Sequence, residues 1–198
     1  MIIDRRENKV KTGGRPNLTI RSYFCHVIHS YMRIVTLILS VICSFESVQA
    51  QQDTLPPYLK SQMVPAFRIL LSDSSTLFTQ RNLEAGKPVM FMLFNPDCEH
   101  CQLQTRSITS RIKELGDLRI IMTTYRPIDK IRSFRQVFQL DQYPTIVTGR
   151  DTDYFFAPFF RVKSIPFMAI YGRDRRLISV HEGNGNMERI KEALKKAG

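Results

Sequence analysis

The clearest pattern along the chain is an apolar run of six, residues 89–94, held between Gly86-Lys87-Pro88 and Asn95-Pro96. Continuous apolarity without alternation is how a strand buried on both faces reads. After it, Cys101, Thr105, Ile108, Ile112 and Leu115 recur at helical spacing and Gly116 supplies a stop, which predicts a helix reaching Leu115. Residues 118–122 read as a strand, and Ile131, Phe134, Val137 and Phe138 form one stripe of a helix starting near Asp129. Residues 143–147 read as a short strand, and the Phe-rich stretch 153–161 as a helix interrupted at Pro158. Its rings, Phe155, Phe156, Phe159 and Phe160, are expected to pack beside the sheet. Residues 167–171 and 177–181 predict a hairpin turning through Gly172-Arg173-Asp174. Asn186 would cap a last helix with Ile190 and Leu194 inward and Glu188 and Lys191 outward. Upstream, residues 67–71 and 76–78 predict another hairpin, after a Pro-rich lead-in over 55–65. The order of elements defines an α/β class: a central mixed β-sheet flanked by helices, with an N-terminal β-hairpin extension.

The first fifty residues follow another pattern. Residues 34–42 are apolar, come after Met32-Arg33, and lead to Val48-Gln49-Ala50. A short basic start, an apolar run and a Val-x-Ala ending describe a secretory signal over residues 32–50, cleaved after Ala50. Stretched to 31–45 the run is still shorter than the ~20 residues of a transmembrane helix. Ile42 before Cys43 argues against a lipid anchor. Residues 1–31, with Arg5, Arg6, Lys9, Lys11, Arg15 and Arg21 against Asp4 and Glu7, read as an extension of the gene model or a long basic n-region. The expected organisation is then a linker at 51–62 and one domain at 63–198. The expected location is outside the cytoplasmic membrane, either periplasmic or held at its outer side.

Composition narrows the class. The 198 residues are 43% hydrophobic and 24% charged, which excludes a disordered or collagen-like chain. The net charge of +11 is spread without aromatic interleaving, so no nucleic-acid partner is expected. Four cysteines are too few for a disulfide framework, and Cys25 and Cys43 fall in the leader.

The remaining pair, Cys98 and Cys101, stands where the central strand turns into a helix. Two residues between them bring both sulfurs within bonding distance. The first can take the helix N-terminus, where free backbone N–H groups and the dipole favour a thiolate. Cys98 would attack a substrate disulfide and Cys101, one turn further in, would resolve the mixed disulfide. His100, when protonated, pushes such a pair toward oxidising behaviour, whereas Glu99 and Asp97 push the other way. A structural disulfide and a metal site compete with this reading. Zinc needs two more ligands, and only His100 and His181 remain downstream of the leader. A copper site would draw on the cysteines, His181 and nearby methionines, most of which read as core.

Gly86-Lys87-Pro88-Val89, the apolar strand, Cys98-Glu99-His100-Cys101 and Ser164-Ile165-Pro166 resemble thioredoxin-fold proteins. They are most similar to the exported thiol–disulfide oxidoreductases that include the cytochrome c maturation thioredoxins. The resemblance covers residues 63–198 and implies a thioredoxin-like fold with a redox-active Cys98–Cys101 disulfide and no other cofactor. It also implies a cis Pro166 against that disulfide and an Ile165 backbone that pairs with substrate. The implied partners are protein dithiol or disulfide substrates and an electron donor such as a membrane thiol reductant. Three positions depart from the pattern. Asp97 replaces the usual Trp, Gln104 replaces the carboxylate of the maturation members, and Asn95 replaces the Thr or Ser of a peroxiredoxin. A copper or zinc metallochaperone and a peroxide-reducing redoxin are the alternatives on the same fold.

Overall fold

The computed structural model describes residues 26, 28–39 and 55–196, and the chain divides into two units, Met1–Thr54 and Leu55–Gly198. In the first, residues 28–39 are helical, and the Thr36 hydroxyl donates to the carbonyls of Met32 and Arg33 at 2.9 and 3.0 Å. The end of the apolar run, the expected cleavage point after Ala50, Cys25 and Cys43 lie outside the described residues. Among the described residues, no helix is long and apolar enough to cross a membrane.

The second unit is built on one mixed sheet of seven strands in the order β2-β1-β5-β4-β3-β6-β7. The strands are β1 (Arg68–Leu71), β2 (Leu77–Thr79), β3 (Val89–Leu93), β4 (Arg119–Thr124), β5 (Ile146–Arg150), β6 (Phe167–Tyr171) and β7 (Leu177–Glu182). β3, β4 and β5 run parallel, and the other pairings are antiparallel. The helices are α1 (Pro57–Lys60), α2 (Glu99–Ser110), α3 (Ile128–Val137), α4 (Phe156–Phe160) and α5 (Met187–Lys196). Every residue of β3 is buried, because helices cover both of its faces. Met90 and Met92 join Cys101, Ile108, Phe134 and Ile190 in one core. Phe91 and Leu93, pointing the other way, join Phe67, Phe156, Phe160 and Tyr171 in a second.

Three boundaries differ from the sequence pattern. α2 ends at Ser110, and a 3-10 turn, Ile112–Leu115, continues toward Gly116 at φ 63°. The Ser107, Thr109 and Ser110 hydroxyls each donate back to a carbonyl of the preceding turn, a habit that weakens helices; the tighter turn still buries Leu115. β5 starts at Ile146 and runs to Arg150, later than expected, because Leu140–Gln142 is a 3-10 turn and Pro144 has no N–H for a ladder. Its polar end pairs with β1, and a Cβ on Gly149 would lie 2.8 Å from Ile69 Cδ1 and 3.0 Å from the Leu70 carbonyl. Finally, Pro158 lies inside α4 without interrupting it, since the first turn of a helix needs no N–H partner there.

The other expected elements of the second unit meet the structure closely. The two hairpins form, and Asn186 caps α5 by accepting the Glu188 N–H at 2.8 Å. Phe156 and Phe160 are buried, with Phe155 and Phe159 stacked beside them at 5.1 Å. The Pro-rich lead-in is tied down: Leu177 N–H donates to the Gln62 carbonyl at 2.7 Å, and the Tyr58 ring lies 5.6 Å from Phe160.

Candidate active site

The site forms where β3 runs out. Phe94 extends the strand by donating its N–H to the Thr123 carbonyl at 3.1 Å. The chain then reverses through Asn95, whose side chain accepts the Asp97 N–H at 3.1 Å and whose carbonyl accepts the Cys98 N–H at 3.0 Å. This turn delivers Cys98 to the N-cap of α2, with extended backbone at φ −91° and no side-chain cap bond. Gln102 locks the arrangement, its amide side chain donating to the Pro96 carbonyl at 2.9 Å.

The two sulfurs have unlike surroundings. Cys98 is half-buried, Cys101 is fully buried on the core side of α2, and both are free thiols. Burial pushes the Cys101 thiol up to about 12; the Asn95 backbone opposes that rise and the facing Cys98 sulfur adds to it. Glu99 and His100, between them in sequence, point to solvent. His100 Nδ1 lies 3.4 Å from the Asn184 side-chain nitrogen. Asp97 has company that sequence order conceals: Arg126 at 3.1 Å and Lys130 at 3.7 Å, both from the loop after β4 and the start of α3.

Ile165 and Pro166 reach the site through sheet register. Because Leu93 is paired with Phe167 in the antiparallel β3–β6 ladder, the residues just before β6 flank the end of β3. The Ile165–Pro166 peptide bond is cis. Ile165 and Cys98 pack against the same core cluster.

Gln104 is 2% exposed and makes two contacts. Its carbonyl oxygen accepts the Gly185 N–H at 2.8 Å, and its amide faces Met187 Sδ at 3.7 Å. It therefore fastens α2 to the turn before α5 and offers no titratable proton. His181 lies in β7 with Ser179 Oγ 3.1 Å from its Nε2. Burial, and then the charge of Arg189, hold its imidazole below the usual range. Among the described residues, no group of three or more His, Cys, Asp or Glu is placed to hold a metal ion.

The sequence did not announce one further feature: a cavity of about 70 Å³ where β3 and β4 end, with Ile165 in its lining. Thr123, Tyr125, Asp151 and Tyr154 contribute to its lining. These residues come from two separate segments, the ends of β4 and β5, and have no shared motif.

The structure thus brings a half-exposed thiol at a helix N-terminus, a buried thiol one turn behind it and the Ile165–Pro166 segment to the same end of the sheet. The chain has the thioredoxin-like fold, and solved structures show this from outside. It matches a secreted Mycobacterium tuberculosis disulfide oxidoreductase homologous to E. coli DsbE at a TM-score of 0.55 and 16% identity, covering 66% of this chain and 95% of that one. MTB DsbF matches at a TM-score of 0.53 and 18% identity, covering 73% and 100%. A thioredoxin-like protein from Aeropyrum pernix matches at 0.54 and 12%, covering 66% and 89%. No protein-family model and no curated sequence matches the chain.

Proposed function

We propose that this protein is an exported thiol–disulfide oxidoreductase that exchanges disulfides with protein substrates through Cys98 and Cys101. The observation that carries the reading is the asymmetry of the pair. Cys98 is reachable and stands against the free N–H groups of α2, while Cys101 is shut inside one turn away. In the reducing direction, the Cys98 thiolate attacks one sulfur of the substrate disulfide. A Cys98–substrate bond forms, the substrate S–S bond breaks, and the departing substrate thiolate takes a proton. Cys101 then loses its proton to solvent and attacks the Cys98 sulfur, releasing the second substrate thiol. Two electrons pass from the dithiol to the substrate, leaving a Cys98–Cys101 disulfide, which an external dithiol donor reduces by the same chemistry.

Burial holds the Cys101 proton tightly, and Gln104 cannot accept it, so resolution waits on solvent. Glu99 and His100 tune the poise of the pair from the solvent side, and the Ile165 backbone guides the substrate chain past Cys98. Export is supported by the apolar run at 34–42 with its Val48-Gln49-Ala50 ending, and a structural neighbour described as secreted points the same way.

The direct test is a pair of variants. Cys98→Ser abolishes reduction of a protein disulfide such as insulin. Cys101→Ser keeps the attack and accumulates a mixed disulfide visible on a non-reducing gel. Undiminished reduction by Cys98→Ser contradicts the proposal.

A further inference from the structure

The second cysteine is placed so as to slow its own reaction. To attack the Cys98 sulfur and release a substrate, Cys101 must first lose its proton. It is fully buried, in a core it shares with Met90, Met92, Ile108 and Ile190. Burial holds the proton, and the groups acting on the sulfur are the Asn95 backbone and Cys98. The Asn95 backbone takes no proton, and Cys98 is bonded to substrate at this stage. The buried polar side chains offer no substitute. Gln104, three residues along α2 and so on the same face, is 2% exposed, with its oxygen committed to the Gly185 N–H and its amide to Met187 Sδ. The Thr105 hydroxyl donates to the Cys101 carbonyl at 2.8 Å. Among the described residues the one buried carboxylate is Asp151. It accepts the N–H groups of Asp153, Phe155 and Phe156 at 3.3, 3.1 and 3.0 Å, and Phe156 belongs to the core on the opposite face of the sheet.

Cys98 is placed the other way. It is half-buried and stands at the N-cap of α2, where free backbone N–H groups favour a departing thiolate. A disulfide between Cys98 and a substrate is therefore open to attack from outside, by a thiolate of the substrate itself with Cys98 as the leaving group. That attack competes with the slow one by Cys101 from inside.

We propose that the protein also isomerises disulfides in polypeptides with three or more cysteines, and that Gln104 opens this route by leaving the resolving step without a proton acceptor. This rests on the oxidoreductase reading. The Cys98 thiolate attacks one sulfur of a substrate disulfide; a Cys98–substrate bond forms, the substrate S–S bond breaks, and the second sulfur leaves as a thiolate. A third substrate thiol gives up its proton, which the departed sulfur takes, and attacks the sulfur bonded to Cys98. A new substrate disulfide forms, the bond to Cys98 breaks, and Cys98 leaves as the thiolate that began the cycle. One disulfide and one thiol enter, one of each leaves, no electrons are transferred, and Cys101 takes no part.

The experiment gives the reduced full-length protein two substrates: scrambled, partly reduced ribonuclease, which regains activity only when its disulfides are re-paired, and insulin, which reports net reduction. The wild type should speed ribonuclease recovery well above the spontaneous rate and Cys98→Ser should not. Cys101→Ser should still isomerise while losing net reduction of insulin. Gln104→Glu keeps an oxygen for the Gly185 N–H and adds a proton acceptor, so it should shift the ratio of reduction to isomerisation upward by about tenfold or more. Acid quenching and alkylation during wild-type turnover should also catch a Cys98–substrate disulfide. Insulin reduction without faster ribonuclease recovery, or loss of isomerisation in Cys101→Ser, overturns the isomerase while leaving the oxidoreductase reading intact. An unchanged ratio in folded Gln104→Glu, or a wild type with no trapped mixed disulfide, overturns the role of Gln104. Failure of Cys98-dependent reaction with both substrates overturns both readings.

Discussion

Cys98 and Cys101 are the same residue three positions apart, and the fold makes them chemically different by burying only the second. That difference has a pH signature. A thiol ordinarily titrates near 9, and burial pushes Cys101 up to about 12. Between those values the unfolded chain has released this proton and the folded chain still holds it, so the folded state binds more protons and stability falls as pH rises. The contribution is complete below about pH 9 and lost through about pH 12. Urea midpoints of the reduced protein across this window should therefore fall more steeply than those of Cys101→Ala; parallel curves would show that Cys101 is not buried as described. The cysteine pair was legible in the sequence because its meaning is local, a two-residue spacing at a strand-to-helix junction. The partners of Asp97 and Gln104 were not. Arg126 is 29 positions from Asp97 and Gly185 is 81 from Gln104, and no periodicity links such pairs.

At the scale of elements, apolar pattern located the strands and helices, and local backbone chemistry moved their ends. β5 shows how. Gly149 and Arg150 fall beyond the expected strand at 143–147, yet β1 pairs alongside them, Leu71 with Gly149 and Leu70 with Arg150, and its Ile69 is fully buried. Gly149 is there for proximity, since its backbone angle is one that any residue adopts. Gly149→Ala should cost about 1–3 kcal/mol by overpacking against the Leu70 carbonyl and Ile69, measured by chemical denaturation; a neutral effect would mean that β1 sits less tightly. At the other end of the unit, the cap of α5 was readable because Asn186 precedes an amphipathic run. Asn186→Ala removes the bond to the Glu188 N–H and should destabilise by about 1 kcal/mol, with Asn186→Asp retaining most of the stability. The surface pairs of Arg111 and Lys191 with Glu114 and Glu188 join α5 to the turn after α2. These charges lie at the surface, the two carboxylates exposed and Arg111 and Lys191 partly so, and salt should change the midpoint little.

The second unit as a whole is a buried central strand with chemistry placed at its exit. Its order of elements was recoverable because parallel β3, β4 and β5 need helical crossovers, and the apolar periods alternate accordingly. What the whole molecule adds is convergence. β3 brings the cysteines, register with β6 brings Ile165 and Pro166, and the ends of β4 and β5 bring Thr123 and Asp151 to the same end of the sheet. The measurement that tests the central proposal most directly is a redox titration of the full-length protein in defined thiol buffers, with the Cys98–Cys101 state read by alkylation and mass. The proposal predicts one two-electron transition, about 30 mV per tenfold change in the ratio of forms, that disappears in both Cys98→Ser and Cys101→Ser. Two thiols that stay alkylatable and independent across the whole range of potentials would contradict it.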